Sequence, residues 1–121
     1  MIQLATLIVD HEPSAAAAAI DRGQLTRVTF GDRRLEREIL QLFDRQAGLL
    51  LSRMYSGEPA AIGPLAHTLK GSASSIGATV VTLAAAAVEQ ASGAERNAAL
   101  DRLAAAIEEA CAAIAVLLAD R

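Results

Sequence analysis

Apolar residues recur along most of the chain at three- and four-residue steps, the spacing of one face of an α-helix. The pattern is strongest from Asp32 to about Tyr55. Asp32 is a good N-cap, and Leu35, Ile39, Leu42, Phe43, Leu49 and Leu50 form an apolar stripe expected to be buried. Leu40, Ala47 and Leu51 form a second apolar strip, which is either more core or an exposed docking surface. Ser56-Gly57-Glu58-Pro59 breaks this helix, and Pro59 suits the first turn of another. That next helix runs to about Ser75, with an irregular start or a kink expected at Gly63-Pro64. Gly77 makes a turn. A further helix from about Ala78 to Ala91 carries Val80, Val81, Leu83, Ala84, Ala87 and Val88, and Ser92-Gly93 ends it. The last helix, from about Ala94 to Ala119, has Leu100, Leu103, Ile107, Ala110, Ile114 and Leu117 as its buried stripe.

Connections of only a few residues favour antiparallel neighbours, so the expected fold is all-α. It is an antiparallel up-down-up-down four-helix bundle with a short N-terminal helical cap. Asp21 caps that short helix, which runs through Phe30 and is ended by Gly31. The bundle domain is placed at residues 21–121, after an N-terminal extension of residues 1–20. In the extension, Ala15 to Ala19 is a low-complexity run, either a short helix with Ser14 near its cap or a flexible arm. The stretch LIVDHEP, Leu7 to Pro13, resembles the first strand of a receiver domain, but too few residues surround it to build that α/β fold.

Composition narrows the function. Of 121 residues, 53% are hydrophobic but only 2% aromatic, with no Trp. A strand-rich fold would want more β-branched and aromatic residues and less Ala. Base stacking needs aromatic faces, and a net charge of -3 offers phosphate backbones no basic field, so no nucleic-acid partner is expected. A mean hydropathy of +0.33 does not fit disorder. The single cysteine, Cys111, excludes an intrachain disulfide, and its neighbours Ile107, Ala110 and Ile114 suggest a core thiol. His11 and His67 have no carboxylate or thiol at ligand spacing, so no metal site is expected. Met1 to Asp10 is apolar but too short to span a bilayer, and no Lys or Arg precedes Arg22. The expectation is a cytoplasmic protein with no membrane partner.

The candidate chemistry lies in AHTLKGSASSIGA, Ala66 to Ala78. On a helical wheel at about 100° per residue, Leu65, Leu69, Ala73 and Ile76 share the core face. His67, Lys70, Gly71 and Ser74 share the face pointing away. A lone His is ordinarily a surface or satisfied core residue, but three features set His67 apart. Its face is otherwise small or polar, and the chain's only lysine stands three residues on. Gly71 occupies a helix position that glycine disfavours by roughly 1 kcal/mol relative to Ala, which suggests that a partner must approach closely.

Neutral imidazole can attack phosphorus through one ring nitrogen, giving a phosphohistidine with about two negative charges. Lys70 can stabilise that charge and Ser74 can add a hydrogen bond. The other ring nitrogen needs a partner to fix the tautomer. His67 precedes Gly77 by ten residues and Glu89 follows it by twelve, at about the same height in an antiparallel hairpin. Glu89, or less readily Gln90, is the candidate to orient His67, against the plainer reading of a solvated surface carboxylate.

The run AHTLKGSASSIGA resembles the signature of histidine-containing phosphotransfer (HPt) domains, approximately A-H-x-L-K-G-S-[SA]-x-x-[LI]-G-[AL]. Upstream, FGDRRLEREILQLF (Phe30 to Phe43) is similar to the first bundle helix of that family. VEQA (Val88 to Ala91) sits where the following helix carries an L-E-x-x-A-like pattern. The resemblance covers roughly Asp21 to the C-terminus. It implies a phosphorelay intermediate rather than an enzyme, with His67 as phosphoacceptor, Lys70 supporting the phosphoryl group and Gly71 leaving room for a receiver domain. Many members have Gln, or another hydrogen-bonding residue, at the position of Glu89. A carboxylate departs from them and places negative charge beside both the imidazole and its phosphoryl group.

The implied partners are response-regulator receiver domains and a hybrid histidine kinase. No cofactor is expected on this chain, and Mg²⁺ is expected on the receiver. No Gly-rich phosphate loop or kinase ATP-binding block is present in the sequence. Receiver docking is assigned to His67, Lys70, Gly71 and Ser74 together with the Leu40, Ala47 and Leu51 strip, and Arg33, Arg34 and Arg37 offer a positive rim. The alternative is a non-catalytic helical module that binds a receiver or a helix. A kinase's own phosphoacceptor module usually has a carboxylate directly after its His. Thr68 follows His67, and only His11-Glu12 has that order.

Overall fold

The computed structural model describes residues 19–119. LIVDHEP, His11-Glu12 and all but the last residue of the Ala15–Ala19 run lie outside the described residues. Five helices follow in order: α1 (Arg22–Thr29), α2 (Arg33–Ser56), α3 (Pro59–Ser75), α4 (Thr79–Gln90) and α5 (Gly93–Ala119). Helices α2 to α5 form a closed ring in which each touches its two neighbours, and α1 packs across α2 and α3. The hydrogen bond from Arg37 at the start of α2 to the Leu118 carbonyl at the end of α5 fixes these two as antiparallel. Tyr55 Oη, near the end of α2, donates to Asp101 Oδ1 of α5 at 3.0 Å and ties their opposite ends.

Local sequence explains the boundaries. Asp32 Oδ1 accepts from the backbone N–H of Arg34 at 2.9 Å and Leu35 at 3.0 Å, a cap worth about 1 kcal/mol. Helix α1 stops where Phe30 and Gly31 both turn left-handed, at φ 55 and φ 77. Pro59 opens α3, which continues through Pro64 to Ser75 as one helix. Pro64 removes the N–H that would have reached the Ala60 carbonyl and crowds that oxygen, early in the helix, which continues past it.

The core is aliphatic and Ala-rich. From α2 it takes Leu40, Phe43, Ala47, Leu50 and Met54, an unbroken alternation of three- and four-residue steps. Thus Leu40 and Ala47 are core residues, whereas Leu42 and Leu49 of the stripe expected to be buried are 57% and 55% exposed. Helix α5 buries Leu100, Leu103, Ile107, Ala110 and Ile114 as expected, with Leu117 partly buried at the rim. Ala19 and Ile20, assigned to the extension from sequence, are also buried in this core. Cys111 is partly buried against it. Burial, and secondarily the neighbouring Asp44, push its thiol up to about 12. Among the described residues no helix is long and apolar enough to cross a membrane.

The turn between α3 and α4 sets the geometry of the functional face. Gly77 has φ 79, and its carbonyl accepts the backbone N–H of Asp21 at 2.8 Å. A Cβ there would stand 2.7 Å from the Asp21 carbonyl oxygen. Glycine is required at this position both by conformation and by close approach. The chain entering α1 therefore locks the α3–α4 hairpin.

Candidate functional site

Helix α3 buries Ile62, Ala66, Leu69 and Ala73, spaced by four, three and four residues. This leaves His67 on the opposite side, with its side chain 69% exposed. Gly71 and Ser74 are exposed on the same side, and Lys70 is half-buried at its α4 edge. Ser74 stands two turns beyond His67, a rise of roughly 10 Å, too far to hydrogen-bond a group carried on the imidazole. It is an exposed residue of the surface beyond Gly71 instead.

The α3–α4 hairpin brings Glu89 to the height of His67. Glu89 Oε2 is 2.8 Å from His67 Nδ1, and Glu89 Oε1 is 2.7 Å from Lys70 Nζ. The lysine contact is an ion pair whose approach lies outside hydrogen-bond geometry. One carboxylate thus bridges the two nitrogen-bearing side chains of the face, His67 and Lys70, and its own side chain is largely covered. The Lys70 ammonium first, and the imidazole second, hold the Glu89 carboxyl below its ordinary value against an opposing desolvation effect. Gln90 is exposed, and the imidazole contact is made by Glu89.

Because Nδ1 faces a carboxylate that can only accept, the hydrogen-bond network assigns its proton to Nδ1. In the neutral ring, Nε2 then carries the lone pair and has no hydrogen-bond partner among the described residues. A Cβ added at Gly71 would meet nothing within 4 Å. The glycine is not demanded by this chain's own packing, and it keeps open the space one turn beyond the imidazole.

The Leu40, Ala47 and Leu51 docking strip does not survive. Leu40 and Ala47 are buried and Leu51 is half-buried against the core, so this strip cannot meet a partner. The exposed apolar residues of α2 are Leu42 and Leu49. Leu42 lines a cleft with Gln46, Ser72, Ser75 and Ile76, which places it on the flank of α2 turned toward α3. Leu49 lies two turns further along the same stripe. A signal for this arrangement is present in the sequence. The expected stripe needs an apolar residue at 46, where Gln46 stands, whereas the 40-43-47-50-54 series is unbroken.

Arg33, Arg34 and Arg37 gather at the end of the bundle beside Leu117 and Leu118, around a cavity of about 380 Å³. Arg37 is engaged by the Leu118 carbonyl and Arg34 by Glu38. They are not in contact with His67. Among the described residues no group of three or more His, Cys, Asp or Glu is placed to hold a metal ion.

A family model, described as the Hpt domain, matches residues 33–115, from the first residue of α2 into the last turns of α5. No curated protein and no solved structure gave a significant match.

Proposed function

The chain belongs to the Hpt domain family, whose members are histidine phosphotransfer intermediates of two-component phosphorelays and interact with receiver domains, and from that premise we propose that His67 is the residue that carries the phosphoryl group. The observation that carries this reading is His67 itself: exposed, with Nδ1 held at 2.8 Å by Glu89 and Nε2 without a partner among the described residues. In the reaction, Nε2 attacks the phosphorus of an aspartyl phosphate on a receiver. The P–O bond breaks and its electron pair returns to the aspartate carboxylate. The Nδ1 proton stays in place, and Glu89 offsets the positive charge that develops on the ring. The Lys70 ammonium, one turn away, faces the incoming phosphoryl oxygens.

Donation reverses these steps toward a second receiver. In this reading the first receiver belongs to a hybrid histidine kinase, and Mg²⁺ and its ligands are assigned to the receivers. Docking uses the open surface at Gly71 and Ser74, flanked by Leu42 and Leu49 on α2. An apolar pair beside a polar reactive residue is the composition of a small transient interface.

The test mixes the purified protein with a receiver carrying a labelled aspartyl phosphate. The expected result is acid-labile, base-stable label on the wild type and none on His67→Gln. Lys70→Ala should slow transfer, and an unchanged rate would remove its proposed role. Receiver binding without transfer to the wild type would favour the pure interaction module.

A further inference from the structure

Resting on His67 as phosphoacceptor, we propose that Glu89 is a positioning residue that keeps the phosphohistidine labile, extending its readiness to donate to higher pH. A phosphoryl group on Nε2 leaves easily only when Nδ1 carries a proton. The P–N bond then breaks to release neutral imidazole, its electron pair returning to Nε2. Without that proton the leaving group is an imidazolate, a far poorer one. With the Nδ1 proton retained, phosphohistidine and an acceptor carboxylate give neutral imidazole and an acyl phosphate. With water as acceptor the products are imidazole and inorganic phosphate.

Glu89 bears on that proton directly. Its Oε2 is 2.8 Å from Nδ1 and its side chain is mostly shielded from water, so the carboxylate interacts with N–H⁺ in a site of reduced screening. An uncharged amide at this position accepts the same hydrogen bond without the charge. The other charged groups around the imidazole are few. Lys70 on α3 pairs with the second carboxylate oxygen at 2.7 Å. Arg96 of α5 lies 3.8 Å from where a Cβ on Gly63 would stand, one turn before His67, and donates to the Pro59 carbonyl. On α2, Arg53 lines the groove with Ala61, Pro64 and Leu65. Neither guanidinium is paired with the imidazole, and among the described residues Glu89 is the one anion in contact with the ring. The arrangement favours a carrier that is emptied quickly over one that stores phosphate.

The experiment phosphorylates wild type and Glu89→Gln with phosphoramidate, then follows loss of the phosphohistidine signal by ³¹P NMR from about pH 6 to about pH 9. Circular dichroism establishes that the variant is folded. The wild-type decay profile should extend to higher pH by one unit or more, so that near pH 8 Glu89→Gln loses its phosphoryl group about tenfold more slowly. Superimposable profiles would overturn the proposal. A Glu89→Gln variant that takes up no phosphoryl group leaves a second readout, the Nδ1 proton of the phosphorylated wild type seen by ¹⁵N NMR. Its retention near pH 8 supports the proposal, and its absence overturns it. Failure of the wild type to be phosphorylated at His67 is a distinct result, because it removes the parent reading as well.

Discussion

His67 and Glu89 are 22 residues apart in sequence and 2.8 Å apart in space. Their contact is made by the α3–α4 turn, which folds the two helices back at Gly77 so that the last turn of α4 meets the middle of α3. The same carboxylate holds Lys70, so both side chains that would handle a phosphoryl group are organised by one residue.

This pairing gives a pH dependence of stability. Lys70, and then His67, lower the Glu89 carboxyl in the folded protein below its ordinary 4.5. A carboxyl depressed on folding stabilises the fold fully above its unfolded value, and that contribution is lost as pH falls through the folded value. Wild type and Glu89→Gln should therefore differ in urea midpoint near neutral pH and converge below about pH 4.5. A constant gap across the acid limb would contradict the pairing.

Gly71 separates stability from binding. With open space around its Cβ position and helical backbone, Gly71→Ala should stabilise the fold by about 0.5–1 kcal/mol. Gly48→Ala on α2, also in open space, should give a similar gain and serve as the control. Gly71→Gln should weaken receiver binding, measured by titration calorimetry, while Gly48→Ala leaves it unchanged. Equal receiver affinity for Gly71→Gln and wild type would remove the clearance role.

The leucines of α2 divide in the opposite sense. Leu40 is 3% exposed, so Leu40→Ala should cost about 2–5 kcal/mol in chemical denaturation. Leu42→Ala and Leu49→Ala, at more than half exposure, should cost little stability but weaken receiver binding. Docking unaffected by the double substitution Leu42→Ala, Leu49→Ala would exclude this flank.

Gly77→Ala should destabilise the protein by more than about 1 kcal/mol, because the new Cβ meets the Asp21 carbonyl at 2.7 Å and the backbone is left-handed. A thermal melt checks this directly, and an unchanged midpoint would mean that the α1 strap is not a constraint on the hairpin.

Much of this was legible in the sequence because local rules agreed. Asp21 and Asp32 cap where capping residues are expected, Pro59 opens α3, and the wheel through Leu69 and Ala73 leaves His67 outside. Counting outward from Gly77 was enough to propose Glu89. The docking face was harder, because α2 is apolar on several sides. Leucines at 40, 42, 49, 50 and 51 allow two stripes, and only the cost of burying Gln46 chooses between them. The Asp21 contact with Gly77 joins residues 56 apart, and no periodicity announces it. Lys70 pairing with Glu89 depends on side-chain directions that spacing alone leaves undetermined.

In the proposed reaction His67 carries a phosphoryl group on Nε2 while Glu89 holds Nδ1. The most direct measurement is heteronuclear NMR on ¹⁵N-histidine-labelled protein after transfer from a phosphorylated receiver. The expected result is phosphorus coupling to Nε2 of His67, with Nδ1 still protonated. Phosphoryl on Nδ1, on another residue, or on no residue of this chain would contradict it.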